Sequence, residues 1–336
     1  MPTPARASLE RVIGAALIIA SIGGLVFAGV LLGQRAGLRL SDGLGSAPSG
    51  GPGATASPVA AAPGPLSSGG PTAVLVGAGD IADCRSKHDE ETADLLATIP
   101  GIVFTVGDNA YNRGAAADFR RCYEPTWGRF RYRTRPTIGN HDILTNSGRP
   151  YFAYFGSVAG DPVDGWYSYQ AETWHVVVLN SNCKAAGGCG EGSRQLAWLK
   201  ADLAANPAQC TLAIWHHPRF SSGAEHGDDL VVSEFWQVLY AAGADVVVNG
   251  HDHDYERFAP QTPDGVVDPV RGIREFVVGT GGKSLRAFGP VDANSEVRNA
   301  SSYGVLKLNL APGGYAWSFL GVAGSTFSDN GSQACH

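Results

Sequence analysis

Charge is scarce in this chain. Asp, Glu, Lys and Arg together make up 17% of its 336 residues, and the balance is acidic, with a formal net charge of -6. That lack of positive surplus argues against broad nucleic-acid binding through a basic surface, so any anion recognised here must be held by something local. Periodicity is missing as well. The 45 glycines and 20 prolines follow no fixed repeat, which excludes a collagen-like fibre and leaves loops and a linker. No Cys-x-x-Cys pair occurs, so a metal site built on thiolates lacks its usual pattern. What is present is core-forming material: 44% of the residues are apolar, enough for one or two folded domains.

Charge is wholly absent from Val12 to Gly33. As a helix this run would be ~33 Å long, sufficient to cross a bilayer core of ~30 Å. No clear A-x-A cleavage pattern follows it, and no cysteine lies near its end to carry a lipid. The expectation is an N-terminal segment, 1–40, containing a membrane anchor at about 12–33. Residues 41–72 are then a Gly/Pro/Ser/Ala-rich tether, and 73–336 one folded domain. Arg6 and Arg11 before the run balance Arg35 and Arg39 after it, so positive charge does not orient the anchor. The cysteines do. All six lie beyond the run, and an even number in an exported domain points to disulfides. Six cysteines allow 15 connectivities. The pairing expected is Cys183 with Cys189 across the Gly187-Gly188 turn, Cys84 with Cys122, and Cys210 with Cys335. The domain is accordingly placed outside the cytoplasm, anchored to the membrane, or secreted if the N-terminal segment is cleaved.

The folded part repeats one arrangement. A short apolar run ends, a Gly or His follows, and a metal-capable side chain comes next. Ala73–Val76 leads to Gly79-Asp80, Ile102–Val106 to Gly107-Asp108, and Pro136–Ile138 to Gly139-Asn140-His141-Asp142. Leu212–Trp215 leads to His216-His217, and Val246–Val248 to Gly250-His251-Asp252-His253. Continuous apolar runs suit strands buried on both faces. Between them, Ser193 heads a helix carrying Leu196, Leu199 and Leu203, and Ser233 heads one carrying Phe235, Trp236 and Leu239 that stops at Gly243. Alternating strands and helices imply an α/β sheet whose ligands gather beyond the carboxyl ends of the strands. The stretch Phe130–Arg133 suits a solvated strand, and Arg274–Val278, Tyr303–Leu310 and Tyr315–Leu320 suit strands completing a second sheet.

The ordered series GD, GDNAY, GNHD, a strand ending in His, and GHDHDYER resembles the calcineurin-like metallophosphoesterase superfamily, and within it the purple acid phosphatase branch. Two positions carry the branch. Most of the superfamily begins with D-x-H, and here Ala82 stands where that His would be. The purple acid phosphatases take a tyrosine from GD-x-x-Y instead, present as Tyr111. The resemblance implies a four-layer α/β/β/α sandwich with a dinuclear metal site at the strand ends. Asp80, Tyr111 and His253 would hold iron(III), and Asp108 would bridge. Asn140, His216 and His251 would hold a divalent iron, zinc or manganese. The chain departs from the usual GD-x-G start, with Ala82 followed by Asp83.

The activity implied is hydrolysis of phosphate monoesters by a metal-bound hydroxide, with His141 and His226 serving the leaving group. His217 and Arg219 are further candidates for contact with phosphate. A diester, nucleotide or pyrophosphate substrate on the same site is the alternative, followed by a non-catalytic surface binding module. The expected partners are a phosphate ester and, through the N-terminal helix, a membrane, with no nucleic acid.

Overall fold

The computed structural model describes residues 69–336. Among them no helix is long and apolar enough to cross a membrane. The expected anchor, and the expected tether up to residue 68, lie outside the described residues.

The strands run in chain order as β1 (Ala73–Ala78), β2 (Ile102–Thr105), β3 (Thr134–Arg135), β4 (Tyr167–Ala171), β5 (Trp174–Val178), β6 (Cys210–Ile214) and β7 (Val246–Asn249). β8 (Tyr255–Phe258), β9 (Arg274–Val278), β10 (Ser295–Asn299), β11 (Gly304–Ala311), β12 (Gly314–Gly321) and β13 (Asp329–Ala334) follow. They form two mixed sheets, ordered β13-β12-β11-β1-β2-β3 and β10-β8-β9-β7-β6-β5-β4. β1, β2 and β3 run parallel in the first sheet, and β5, β6, β7 and β9 in the second.

Alternation along the second sheet sorts its side chains into two cores. Val176, Leu212, Ile214, Val246 and Val248 pack toward Leu75, Phe104, Leu308 and Trp317 of the first sheet. Their neighbours Val177, Ala213 and Val247 face the other way, onto Leu196 and Leu199 of the helix Arg194–Ala205 and Phe235, Trp236 and Leu239 of the helix Ser233–Ala241. A strand apolar on both faces is what two such cores require. Helices cover the sheets on the outside, the helix His88–Thr98 packing near β11. The fold is thus the expected α/β sandwich.

Several local details follow sequence chemistry. Ser193 caps its helix by accepting the Leu196 N–H, and Gly243, at φ +76°, ends the next one. Ser233 is not a cap. Val232 holds that position, and the Ser233 hydroxyl donates to the Leu230 carbonyl instead. Pro136–Ile138 forms no strand. β3 stops at Arg135 because proline brings no N–H to the ladder. Phe130–Arg133 lies in a 3-10 helix, Trp127–Arg133, rather than a solvated strand: Phe130 is buried, and Arg133 donates to the Leu96 and Gly101 carbonyls. The three late strands divide between the sheets. β9 pairs with β7, whereas β11 pairs antiparallel with β1.

All three expected disulfides are present: Cys84–Cys122, Cys183–Cys189 and Cys210–Cys335. The last lies beside the buried Asp245, and its sulfurs are bonded to each other, so no thiolate faces that carboxyl. Burial pushes the Asp245 carboxyl up to about 7 against the opposing N–H donors of Thr211 and His336. An unfolded Asp ionises near pH 4, so between about pH 4 and 7 the folded state holds a proton that the unfolded state has lost. The stabilisation is full below about pH 4 and is lost as pH rises through 7. We expect Asp245→Asn, which copies the protonated group, to match wild type at pH 4.5 and exceed its urea midpoint at pH 7.5. A constant difference between the two pH values would show that Asp245 is ionised throughout.

Candidate metal centre

Five parallel strands deliver the site. Beyond the ends of β1 and β2 the chain continues as two loops joined by backbone hydrogen bonds, Asp80 N to Gly107 O (3.1 Å), Ile81 N to Asp108 O (3.0 Å) and Tyr111 N to Ala82 O (2.8 Å). Beyond β6 and β7, Gly250 N donates to His216 O (3.0 Å). These closures force unusual backbone: Asp80 (φ 57°), Asp108 (φ 50°) and His251 (φ 71°) all have left-handed conformations. Such strain in non-glycine residues persists only where the surroundings over-determine it, typically at functional sites. Glycine is required where backbone crowds a ligand. A Cβ on Gly139 would sit 2.2 Å from Asp108 Oδ1, and one on Gly107, itself at φ +94°, 2.4 Å from His216 Nδ1.

The donor atoms converge. Tyr111 Oη lies 2.7 Å from Asp80 Oδ1, 2.9 Å from Asp108 Oδ2 and 3.3 Å from His253 Nε2. His216 Nε2 lies 2.9 Å from Asn140 Oδ1, 3.2 Å from His251 Nδ1 and 3.5 Å from Asp108 Oδ1. The seven residues expected as ligands therefore form two groups, and Asp108 turns one carboxylate oxygen toward each. Neighbouring ligands on an ion with bonds of ~2.1 Å lie ~3 Å apart at right angles, the spacing found here.

Other atoms aim these donors. Asp80 Oδ2 accepts the His251 N–H (2.9 Å), and Asp108 Oδ1 the His141 N–H (2.7 Å). His216 Nδ1 is held by the Val106 carbonyl (2.7 Å) and His253 Nδ1 by that of Ser284 (2.8 Å), which leaves each Nε2 facing inward.

Electrostatics favour cations here. Burial pushes the Asp108 carboxyl up, but His216 and His141 outweigh it and hold it well below the usual range. Asp80 is likewise lowered, with His253 overcoming burial. Against its own burial, His216 is raised to about 9, chiefly by the charge of Asp108. Tyr111 is raised well above an ordinary phenol by burial and by the carboxylates of Asp108 and Asp80. Two fully buried carboxylates against a phenol oxygen, with no Arg or Lys among the described residues in hydrogen-bond contact, form a donor set that suits metal ions.

The remaining candidates separate. His141 Nδ1 is held by the Asn112 carbonyl (2.7 Å), and its Nε2 stands 3.9 Å from Asp108 Oδ2. His226 stacks on His251 with ring centres 3.9 Å apart, and its Nε2 accepts from Arg286 (2.6 Å). His217 lies beside His251 (4.4 Å between ring centres), with Nδ1 against Ser181 Oγ (2.8 Å). Arg219 is not brought to the donors. Its guanidinium packs over Phe220 and reaches Asp228 and the Pro263 carbonyl.

Three residues have roles at the site that no motif assigned. Asp142 accepts the N–H groups of Asn109 and Gly139 and so locks two ligand loops together. Lys283 stands over the Tyr111 ring (4.6 Å) and pairs with Asp83 (2.6 Å), the residue that departs from the family start. Arg286 orients His226. Asp142 was visible within GNHD. Lys283 and Arg286 follow the glycine-rich run Gly279–Gly282, and no sequence motif tied them to the site.

Two mixed sheets with acids, an amide and imidazoles beyond five strand ends define a metallophosphoesterase fold. The family model for calcineurin-like phosphoesterases matches residues 66–255, more than half of the chain, and the chain belongs to that family. Within it the chain is purple acid phosphatase-like. It is similar to purple acid phosphatase 15 of Arabidopsis thaliana, 28% identical over 224 residues that cover 56% of this chain and 41% of the relative. It is also similar to acid phosphatase type 7 of Homo sapiens, 30% identical over 184 residues, 47% of this chain and 41% of the relative. In fold it matches a purple acid phosphatase from yellow lupin (Lupinus luteus) seeds, with TM-score 0.63 and 18% identity over 79% of this chain and 54% of that one. The chain thus spans about two fifths of the length of these curated relatives.

Proposed function

We propose that the protein hydrolyses phosphate monoesters at a pair of metal ions. Asp80, Tyr111 and His253 hold one ion, Asn140, His216 and His251 the other, and Asp108 is shared. The observation that carries this reading is the Asp108 carboxylate, with Oδ2 toward Tyr111 and Oδ1 toward His216. Ions bound there supply positive charge for phosphate oxygens and a lowered pKa for water. That local charge accounts for anion recognition by an acidic chain.

The side chains around the donors divide the remaining work. With Nδ1–H donated to the Asn112 carbonyl, His141 gives a proton to the leaving oxygen from Nε2 in its imidazolium form and is left as the neutral ring with its proton on Nδ1. Because Arg286 donates to His226 Nε2, the proton of a neutral His226 sits on Nδ1, from which it donates to phosphate. The three disulfides fit an extracellular or secreted enzyme.

Iron(III) is proposed at Tyr111 because a phenolate is a hard anionic donor, with iron, zinc or manganese as the divalent partner. Metal analysis together with a visible spectrum tests the assignment. A broad band is expected, and it should vanish in Tyr111→Phe. Colourless, active protein containing only zinc or manganese would refute iron while leaving hydrolysis standing. Paired mono- and diesters of 4-nitrophenol, which share one leaving group, should show the monoester favoured. A metal-loaded protein that hydrolysed neither would end the enzymatic reading.

A further inference from the structure

We propose that a cleft beside the metal centre binds the organic part of the phosphate ester and selects aromatic or aliphatic alcohols over polyhydroxylated ones. This rests on the hydrolytic reading and names the substrate class for it. The cleft has a volume of ≈ 580 Å³, within the range of small-molecule sites.

Its place follows from its walls. Ile143, two residues beyond His141, forms one side, and His217, beside His251, forms another. A group lodged between them is therefore next to the phosphate that the donors would hold, and one ester can fill both places.

Its chemistry follows from what the lining has left to offer. Ser181 Oγ is engaged by His217 Nδ1 (2.8 Å) and by the His217 N–H (3.0 Å). The Asn182 amide donates to Asn180 Oδ1 (3.0 Å), and the Asn182 N–H takes the same oxygen (3.1 Å). With these polar groups engaged, the apolar surface presented is Ile143, Val231, Ala185 and Cys183 of the Cys183–Cys189 disulfide. Val231 is 51% exposed, an apolar side chain that the folded core does not use. Among the described residues Lys184 is the one charged side chain in the lining, and none of them brings a carboxylate there to accept sugar hydroxyls. The wall is also preformed: Ala185 N donates to Asn182 O (2.8 Å) and Gly188 N to Cys183 O (2.7 Å) inside the disulfide loop.

The test compares phenyl and 2-naphthyl phosphate, whose leaving groups are of similar acidity and differ by one ring. The metal-loaded full chain should favour the naphthyl ester by about tenfold in kcat/KM. Val231→Asp and Ile143→Ser should each bring the ratio near unity, chiefly by lowering turnover of the naphthyl ester. In parallel, calorimetric titration with naphthylmethylphosphonate and methylphosphonate reads the cleft without hydrolysis. Naphthylmethylphosphonate should bind about tenfold more tightly to wild type and equally to both variants. Equal binding of the two phosphonates to wild type, or a preference untouched by both substitutions, overturns the cleft even if hydrolysis stands. A binding preference without turnover overturns hydrolysis and leaves the cleft.

Discussion

Asp108→Ala is expected to lower kcat/KM for a phosphate monoester by at least about a thousandfold and to cost the protein bound metal. Asp108 is the residue common to both donor groups. Its removal opens each group at once, whereas the loss of Asn140 or Tyr111 opens one. The carboxylate also orders what surrounds it, since the His141 N–H donates to Oδ1 and the raised proton affinity of His216 depends on its charge. A metal pair contributes several kcal/mol of transition-state charge stabilisation, and ~4 kcal/mol is about a thousandfold in rate. Asp108→Asn keeps the shape and removes the charge, so it should fall between the two. The checks are steady-state kinetics and metal content by mass spectrometry. Full metal occupancy with native turnover in Asp108→Ala would sink the shared-ligand assignment.

The second large effect is expected at a residue placed outside both donor groups. Asp142 is fully buried and receives the Asn109 side-chain amide (2.9 Å), the Asn109 N–H (3.1 Å) and the Gly139 N–H (2.9 Å). It therefore ties the loop that carries Asp108 to the loop that carries Asn140. Burial, and after it the charge of Asp108, raise its carboxyl to about 6. In Asp142→Ala three donors lose their acceptor inside the protein, at roughly 1–3 kcal/mol each. We expect a loss of about 4 kcal/mol or more in stability, measured by urea unfolding of the metal-free protein, and weakened metal binding in the variant that still folds. Asp142→Asn keeps one acceptor oxygen and should recover part of the stability. A metal-free midpoint unchanged by Asp142→Ala would show that the loops hold their geometry without it.

The candidate site was legible because the residues proposed as metal ligands leave a local mark. Four apolar runs lead to a glycine followed by Asp, Asn or His (Gly79, Gly107, Gly139 and Gly250), a fifth runs directly into His216, and each is short enough to read in a few residues. The Ala82 and Tyr111 positions were legible for the same reason. The disulfides were legible through the even cysteine count and the turn between Cys183 and Cys189, although sequence alone left 15 pairings open. Arg219 stands three residues after His216 in the chain, yet its guanidinium is drawn onto Phe220 and toward Asp228, away from the donor atoms. Lys283 and Arg286 escaped because they act across long stretches of chain, on Tyr111 and on His226.

Sequence by itself determined which side chains are available to bind metal and at which strand ends they stand, because those choices are made over three or four neighbouring residues. It also determined that the two faces of the central strands are apolar. Only the tertiary structure decided that β11 and β12 join β1 while β9 joins β7. It alone decided that Asp108 faces both donor groups, that Asp142 fastens two of the loops, and that an apolar cleft opens beside His217. These depend on contacts between residues far apart in the chain, and such contacts are set by the packing of two sheets rather than by any local pattern.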